Sequence, residues 1–337
     1  MLNTKQKVLR RFWYATVPME KIKEGPVSFK LLGENIVLFT GVDGKPAALQ
    51  DRCCHRTAKL SKGTSVDGHI ICGYHGWEYN SAGKLVRIPQ FPSDQSLPDA
   101  KVPAYHCAER YGYVWVALDE PLRPIPDIPE EGMEGYRRIH QFYDKWNTSA
   151  LRLMENSFDN AHFSFVHKGT FGDTERPKPE KYEIVETDYG FDAETLVRIV
   201  NPPHAVRVTG TADPYTYRHM RNKWYLPFCR RLDIEYPSGL RHIIFNCATP
   251  IDDGSIQVVQ LLYRNDTEEQ CSAQELIDWD AAIIAEDKDA LESTDPDAIV
   301  DMGRKLEMHM PSDRPGMIMR KQLLDLLKAH GEIEVPR

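Results

Sequence analysis

Two groups of metal-binding side chains stand out in these 337 residues. In the first, Cys53-Cys54-His55 precedes Cys72-Gly73-Tyr74-His75, with sixteen residues between His55 and Cys72. The pattern is C-x-H…C-x-x-H. Two short loops of this kind, set face to face, can clamp a diiron cluster, the thiolates of Cys53 and Cys72 on one iron and the imidazoles of His55 and His75 on the other. Neutral imidazoles in place of two thiolates remove negative charge and raise the reduction potential to about −150 to +300 mV. Gly73 and Gly76 allow backbone N–H groups to approach cluster sulfurs, while Trp77 and Tyr79 can shield one side from water. Structural zinc is the competing use of two cysteines and two histidines. Zinc fingers, however, pair C-x-x-C with H-x3–5-H instead of mixing both types in each loop.

The second group runs from Glu155 through Asp159 and His162 to His167, an E-x3-D-x2-H-x4-H pattern. Histidines five apart do not share a face of one continuous helix, so His167 is expected past a helix end, curling back toward the same point. Two neutral imidazoles and one carboxylate make the facial triad that holds Fe(II) and leaves positions open for O2 and substrate. The bland alternative is a polar helix end with satisfied histidines. The carboxylate must come from elsewhere, and Asp278, Asp280, Glu286, Asp287 and Asp289 all sit on one predicted helix, where such a cluster is commonly a solvated face.

Asp51 to Arg56, together with Cys72 to Trp77, resembles the Rieske domain of aromatic-ring and alkyl oxygenases. Glu155 to His167 resembles the mononuclear iron motif of the same family, in the same order. Cys54 is a departure, since that position is commonly proline; only Cys53 keeps the C-x-H spacing. The resemblance implies that His162 and His167 are iron ligands. It implies that Asp159 bridges electron transfer between subunits, bonding a ligand histidine on one side and a neighbour's cluster histidine, His75 in this chain, on the other. Ala285 to Glu292 resembles the family's E-D-K-x3-E segment, which selects Asp287 as the third ligand.

The same resemblance implies an α+β protein: an N-terminal all-β Rieske [2Fe-2S] domain, then an α+β catalytic domain with a central antiparallel sheet and a mononuclear Fe(II). Family members work as head-to-tail homotrimers. Neither a P-loop nor a G-x-G-x-x-G turn is present, so NADH or NADPH must act through a separate reductase or ferredoxin. Arg10 to Trp13, Glu109 to Gly112 and Phe165 to His167 resemble Rieske monooxygenases that hydroxylate or oxidatively demethylate nitrogen heterocycles and alkaloids. Caffeine-type N-demethylases, saxitoxin-tailoring hydroxylases and dicamba-type O-demethylases are the nearest comparisons. The expected substrate is a small nitrogen-containing polycyclic or heterocyclic molecule. Two other readings compete, an aromatic-ring cis-dihydroxylating dioxygenase and a Rieske electron-transfer protein without catalytic iron.

The elements that must position these residues are partly visible. Strand signals at Phe29 to Leu32, Asn35 to Thr40, Ala47 to Gln50, His69 to Cys72 and Tyr111 to Leu118 predict a small β domain. Pro121, Pro124, Pro126 and Pro129 then block both helix and sheet, which sets the division at residues 1–118 and 119–337. Asn147 to Asn160 supports a helix, Tyr182 to Arg264 is β-rich, and Ser272 caps a helix carrying Leu276, Trp279, Ile283 and Ile284. Tyr225, Phe245, Asn246 and Met154 fit a cavity wall, but such residues in strands are more often plain core.

Bulk properties set limits. A net charge of −8 disfavours nucleic-acid binding, which needs basic surface. No apolar run approaches the roughly 20 residues that cross a bilayer, and Met1 to Arg11 lacks a signal-peptide core, so a cytoplasmic protein without a membrane span is expected. Seven cysteines, odd in number and scattered, suit metal ligation better than a disulfide framework.

Overall fold

The computed structural model describes residues 1–92 and 94–337. They form two compact units, one of Lys7–Ile125 and one of Met1–Gln6 with Pro126–Arg337. The chain passes between them inside the proline-rich stretch, a little beyond residue 118, and the first six residues belong with the second unit.

In the first unit, β1 (Tyr14–Pro18), α1 (Met19–Lys23), β2 (Val27–Leu31), β3 (Glu34–Thr40) and β4 (Pro46–Gln50) come first. They are followed by β5 (Thr64–Val66), β6 (His69–Ile71), β7 (Glu78–Tyr79), β8 (Leu85–Arg87), β9 (Ala104–Arg110) and β10 (Tyr113–Ala117). The β2–β3 hairpin turns on Leu32 and Gly33, both left-handed at φ 50° and 79°, the two-residue turn whose twist matches its strands. An antiparallel sheet of six strands runs β1-β10-β9-β4-β3-β2, and a smaller one of four runs β5-β6-β7-β8. Val37, Phe39 and Leu49 from the larger sheet share a core with Ile70, Tyr79 and Leu85 from the smaller. Cys53 and Cys72 are buried in that same core, so the loops that carry them are anchored at both sheets.

The second unit contains β11 (Arg137–Trp146), α2 (Ala150–Ser157), α3 (Phe163–Val166), β12 (Glu183–Glu186), β13 (Gly190–Val200) and α4 (Val206–Thr209). After these come β14 (Tyr215–Tyr225), β15 (Cys229–Glu235), β16 (Arg241–Pro250), β17 (Ile256–Arg264), α5 (Ala273–Glu292) and α6 (Arg314–Ala329). Its antiparallel sheet of seven strands runs β11-β17-β16-β15-β14-β13-β12. Neighbours in sequence are neighbours in space except at β11, which pairs with β17 at the edge. The α+β architecture with an antiparallel sheet is thus the one observed.

Helix α5 begins in a capping box: Ser272 accepts from the Glu275 N–H, and the Glu275 carboxylate accepts from the Ser272 N–H, which satisfies two end donors at once. Its Leu276 and Trp279 pack on Ile139 and Leu262 of the sheet. Leu276 is fully enclosed, so Leu276→Ala should cost about 2–5 kcal/mol in chemical denaturation. Among the described residues, no helix is long and apolar enough to cross a membrane.

Candidate metal centres and an adjoining cavity

The two cysteine loops close by the same backbone pattern. The Cys53 N–H donates to Ala58 O at 2.8 Å and the Thr57 N–H to Cys53 O at 3.0 Å; likewise Cys72 N–H reaches Trp77 O and Gly76 N–H reaches Cys72 O, both at 2.9 Å. The fifth residue of each loop is left-handed, Thr57 at φ 60° and Gly76 at φ 73°. Gly76 takes that backbone without strain, whereas a β-branched threonine does so at a cost. Buried Asp51 ties the first loop down, accepting from Ser61 N and Oγ at 2.8 and 2.7 Å and from Ser28 Oγ at 3.1 Å.

The motif histidines face each other, and the two motif cysteines interact with one another. The His55 and His75 rings are 4.5 Å apart, and His55 stacks on Trp77 at 4.4 Å. Cys53 and Cys72 are buried, whereas Cys54 is exposed. The Tyr79 hydroxyl lies 3.1 Å from Cys53 Sγ and 3.2 Å from Cys54 Sγ. Burial pushes the Cys72 thiol above its ordinary value, and His55 Nδ1 is enclosed without a hydrogen-bond partner. An orphaned imidazole nitrogen beside buried thiols suits metal bonding, because coordination deprotonates the thiol and satisfies the nitrogen.

The second centre is assembled by three helices. Helix α2 stops at Ser157, the Asp159 carboxylate then accepts the Ala161 N–H at 2.7 Å, and the chain turns so that His162 precedes the single turn of α3 while His167 follows it. The His162 and His167 Nε2 atoms are 3.1 Å apart, and Asp287 Oδ1, from α5, is 3.4 and 3.3 Å from them. Right-angled bonds of about 2.1 Å would set neighbouring donors about 3.0 Å apart. These three donors therefore fit one face of a coordination octahedron. Burial alone would lower the His162 imidazole, but Asp159 and Asp287 push it up to about 9. Burial would likewise raise Asp287, yet His162 and His167 hold its carboxyl well below the usual range. The field at this point favours a cation.

Other polar groups fix the donors' orientation. His167 Nδ1 is 2.9 Å from Glu286 Oε2, which also accepts from Thr170 Oγ1 at 2.9 Å. Asn156 Nδ2 donates to Asp287 Oδ1 at 3.3 Å. Asp159 Oδ2 is 3.4 Å from His162 Nδ1, close enough for electrostatic attraction though not aligned as a hydrogen bond. Of the five candidate carboxylates, Asp287 is the one that lies against the Nε2 atoms of both histidines. Glu286 backs His167, Asp280 pairs with His242 at 3.0 Å, and Asp278 and Asp289 are exposed.

A cavity of about 780 Å³, counted to its open mouth, leads to His162, His167 and Asp287. Leu232, Ile234, Ile244 and Ile283 make its walls largely apolar, and Arg218, Arg230, His242 and Asn246 interrupt them. Of the four residues the sequence offered as a possible wall, only Asn246 lines it. Arg218, Arg230 and His242 were not foreseen. Their signal was the two-residue step along β14, β15 and β16, which puts positions 218 and 220, 230, 232 and 234, and 242, 244 and 246 on single faces.

Residues 12–106 match the Rieske [2Fe-2S] domain, and residues 146–329 match the vanillate O-demethylase oxygenase C-terminal domain. The methylxanthine N1-demethylase NdmA of Pseudomonas putida is 30% identical across 98% of this chain and 93% of its own length. The vanillate O-demethylase oxygenase subunit of a Pseudomonas species is 28% identical across 95% of each. The solved structure of Pseudomonas putida CBB5 NdmA superposes with a TM-score of 0.83 at 29% identity, covering 98% of this chain and 94% of that one. Dicamba monooxygenase, at 21% identity and a TM-score of 0.79, shares the fold. With both domain matches in sequence order and a full-length relative at that identity, the chain belongs to the Rieske non-haem iron oxygenases, monooxygenases and demethylases that combine a [2Fe-2S] cluster with a mononuclear iron and draw NAD(P)H electrons through a separate reductase.

Proposed function

We propose that this enzyme oxidatively demethylates or hydroxylates a small nitrogen heterocycle. In this reading Cys53, Cys72, His55 and His75 hold the [2Fe-2S] cluster, and His162, His167 and Asp287 hold the mononuclear iron. The observation that carries it is the apolar cavity opening directly onto the His162, His167 and Asp287 donors. The methylxanthine N-demethylases among its relatives support the nitrogen heterocycle. Bound there, the two metal groups supply single-electron storage and O2 activation.

The protein's own groups do the rest. Glu286 accepts from His167 Nδ1–H, which fixes the tautomer and leaves Nε2 free as a donor. Asp159 favours the same tautomer in His162. Leu232, Ile234 and Ile244 exclude water from the space beside the triad and hold an apolar ring against it. The proposed assembly is a homotrimer, in which His75 of the next copy approaches Asp159; the 32% exposure of the Asp159 side chain is compatible with that approach. A cytoplasmic setting agrees with the separate reductase.

Glu286→Gln should weaken iron binding about 10- to 100-fold, measured by competition with a chelator, while the cluster absorbance stays. The function itself is tested with ¹⁸O2 and a panel of N-methyl heterocycles in the presence of a surrogate reductase. Demethylation yields formaldehyde and hydroxylation an alcohol, each with a single oxygen atom from O2. A product carrying both labelled atoms as a cis-diol would replace this reading with the dioxygenase one.

A further inference from the structure

Two arginines face the cavity without a close ion-pair partner among the described residues. Arg218 on β14 and Arg230 on β15 are only 5% and 8% exposed. Among the described residues, neither guanidinium meets a carboxylate at ion-pair distance. Arg230 donates Nε–H to Asn222 Oδ1 at 2.8 Å, whereas Arg218 Nε has no hydrogen-bond partner. Elsewhere the chain pairs its buried arginines: Arg231 with Glu130, Arg264 with Asp266, and Arg320 with Glu155 and Glu307. Both exceptions line the same cavity.

A buried guanidinium without an ion pair is costly, and the Phe171 ring beside Arg218 and the Phe158 ring beside Arg230 offset only part of the desolvation. The acids on the cavity wall are already engaged. Asp280 is held by His242 at 3.0 Å and by Gln141, and Asp287 faces the two histidines. Arg218 is also well placed relative to the iron site. Its guanidinium carbon sits 4.3 Å from the Phe171 ring centroid, and Phe171 stacks on His167 at 4.7 Å. One aromatic ring separates it from the metal-facing histidine.

We infer that Arg218 receives a carboxylate on the substrate, so that this enzyme acts on an aromatic or heteroaromatic acid. The planar fork of the guanidinium matches a carboxylate in two parallel hydrogen bonds, and fixing that end leaves the opposite edge of the ring beside His162, His167 and Asp287. Arg230 adds a second positive charge to the wall, and burial lowers its own affinity for the proton to about 10. The inference deepens the demethylase reading by naming the charge of the substrate, and it rests on that cavity being the substrate site.

The test uses matched pairs, 1-methylindole-3-carboxylate with its carboxamide and benzoate with benzamide. Binding to the iron-loaded protein is read by isothermal titration calorimetry. The carboxylates should bind at least tenfold more tightly than the amides. Arg218→Met should collapse that ratio toward one, and Arg218→Lys should keep part of it, with iron content confirming that each variant is folded. Equal affinity within the pairs, tighter binding of the amides, no binding of either, or an undiminished ratio in a folded Arg218→Met overturns the inference. Turnover is scored separately as formaldehyde from the 1-methylindole pair. Charge-selective binding without formaldehyde sinks the demethylation reading and leaves Arg218 in place, whereas formaldehyde without charge selectivity does the reverse.

Discussion

Asp159→Asn should leave both metal centres loaded yet slow product formation by about 10- to 100-fold, the range for losing a carboxylate behind a ligand histidine. The substitution keeps shape: an amide oxygen can still accept the Ala161 N–H that Asp159 Oδ1 takes at 2.7 Å. What disappears is the negative charge 3.4 Å from His162 Nδ1. Single-turnover measurements on chemically reduced protein separate the two outcomes, since a transfer defect slows reoxidation of the cluster together with product release. Unchanged single-turnover rates would remove Asp159 from the electron path and leave it as a loop cap.

His167→Ala should abolish turnover outright and lower iron from about three atoms per chain to about two. His167 is nearly inaccessible to solvent and supplies one corner of the three-donor face. Its loss also leaves the Glu286 carboxylate, normally 2.9 Å from Nδ1, without its partner. Metal analysis and the visible spectrum should then show an intact cluster with no mononuclear iron. If the iron count and the turnover of this variant matched the parent, His167 would not be a ligand and the triad would be wrong.

Legibility in the sequence followed locality. The Cys53/His55 and Cys72/His75 units are short, and each loop is closed by its own backbone bonds, so spacing along the chain translated directly into spacing in three dimensions. The step from His162 to His167 was equally local. Asp287 was different. It and Asp280 are seven residues apart on α5, about two turns, and so lie on nearly the same helix face. Periodicity could not say which faced the histidines and which faced His242. Only the resemblance of the surrounding segment chose between them.

The cavity wall was less legible for a related reason. Every residue of β17 is buried, and β15 and β16 are buried almost throughout, so the polar-apolar alternation that marks the faces of an exposed strand is lost there. Arg218 and Arg230 read as ordinary charged residues until the sheet aligned them with Ile234 and Ile244. The polar segment of β11 was missed as well. As an edge strand pairing only with β17, it carries little of the apolar signature by which strands are found.

The matched closure of the two cysteine loops bears on what the inorganic centre depends on. Each loop is shaped by main-chain bonds, by Asp51 and by the core beneath Cys53 and Cys72, contacts made between protein groups alone. The outline offered to an inorganic centre is thus set by the surrounding polypeptide as well as by the donors themselves, and damage to that surround would reach the centre without any donor being replaced.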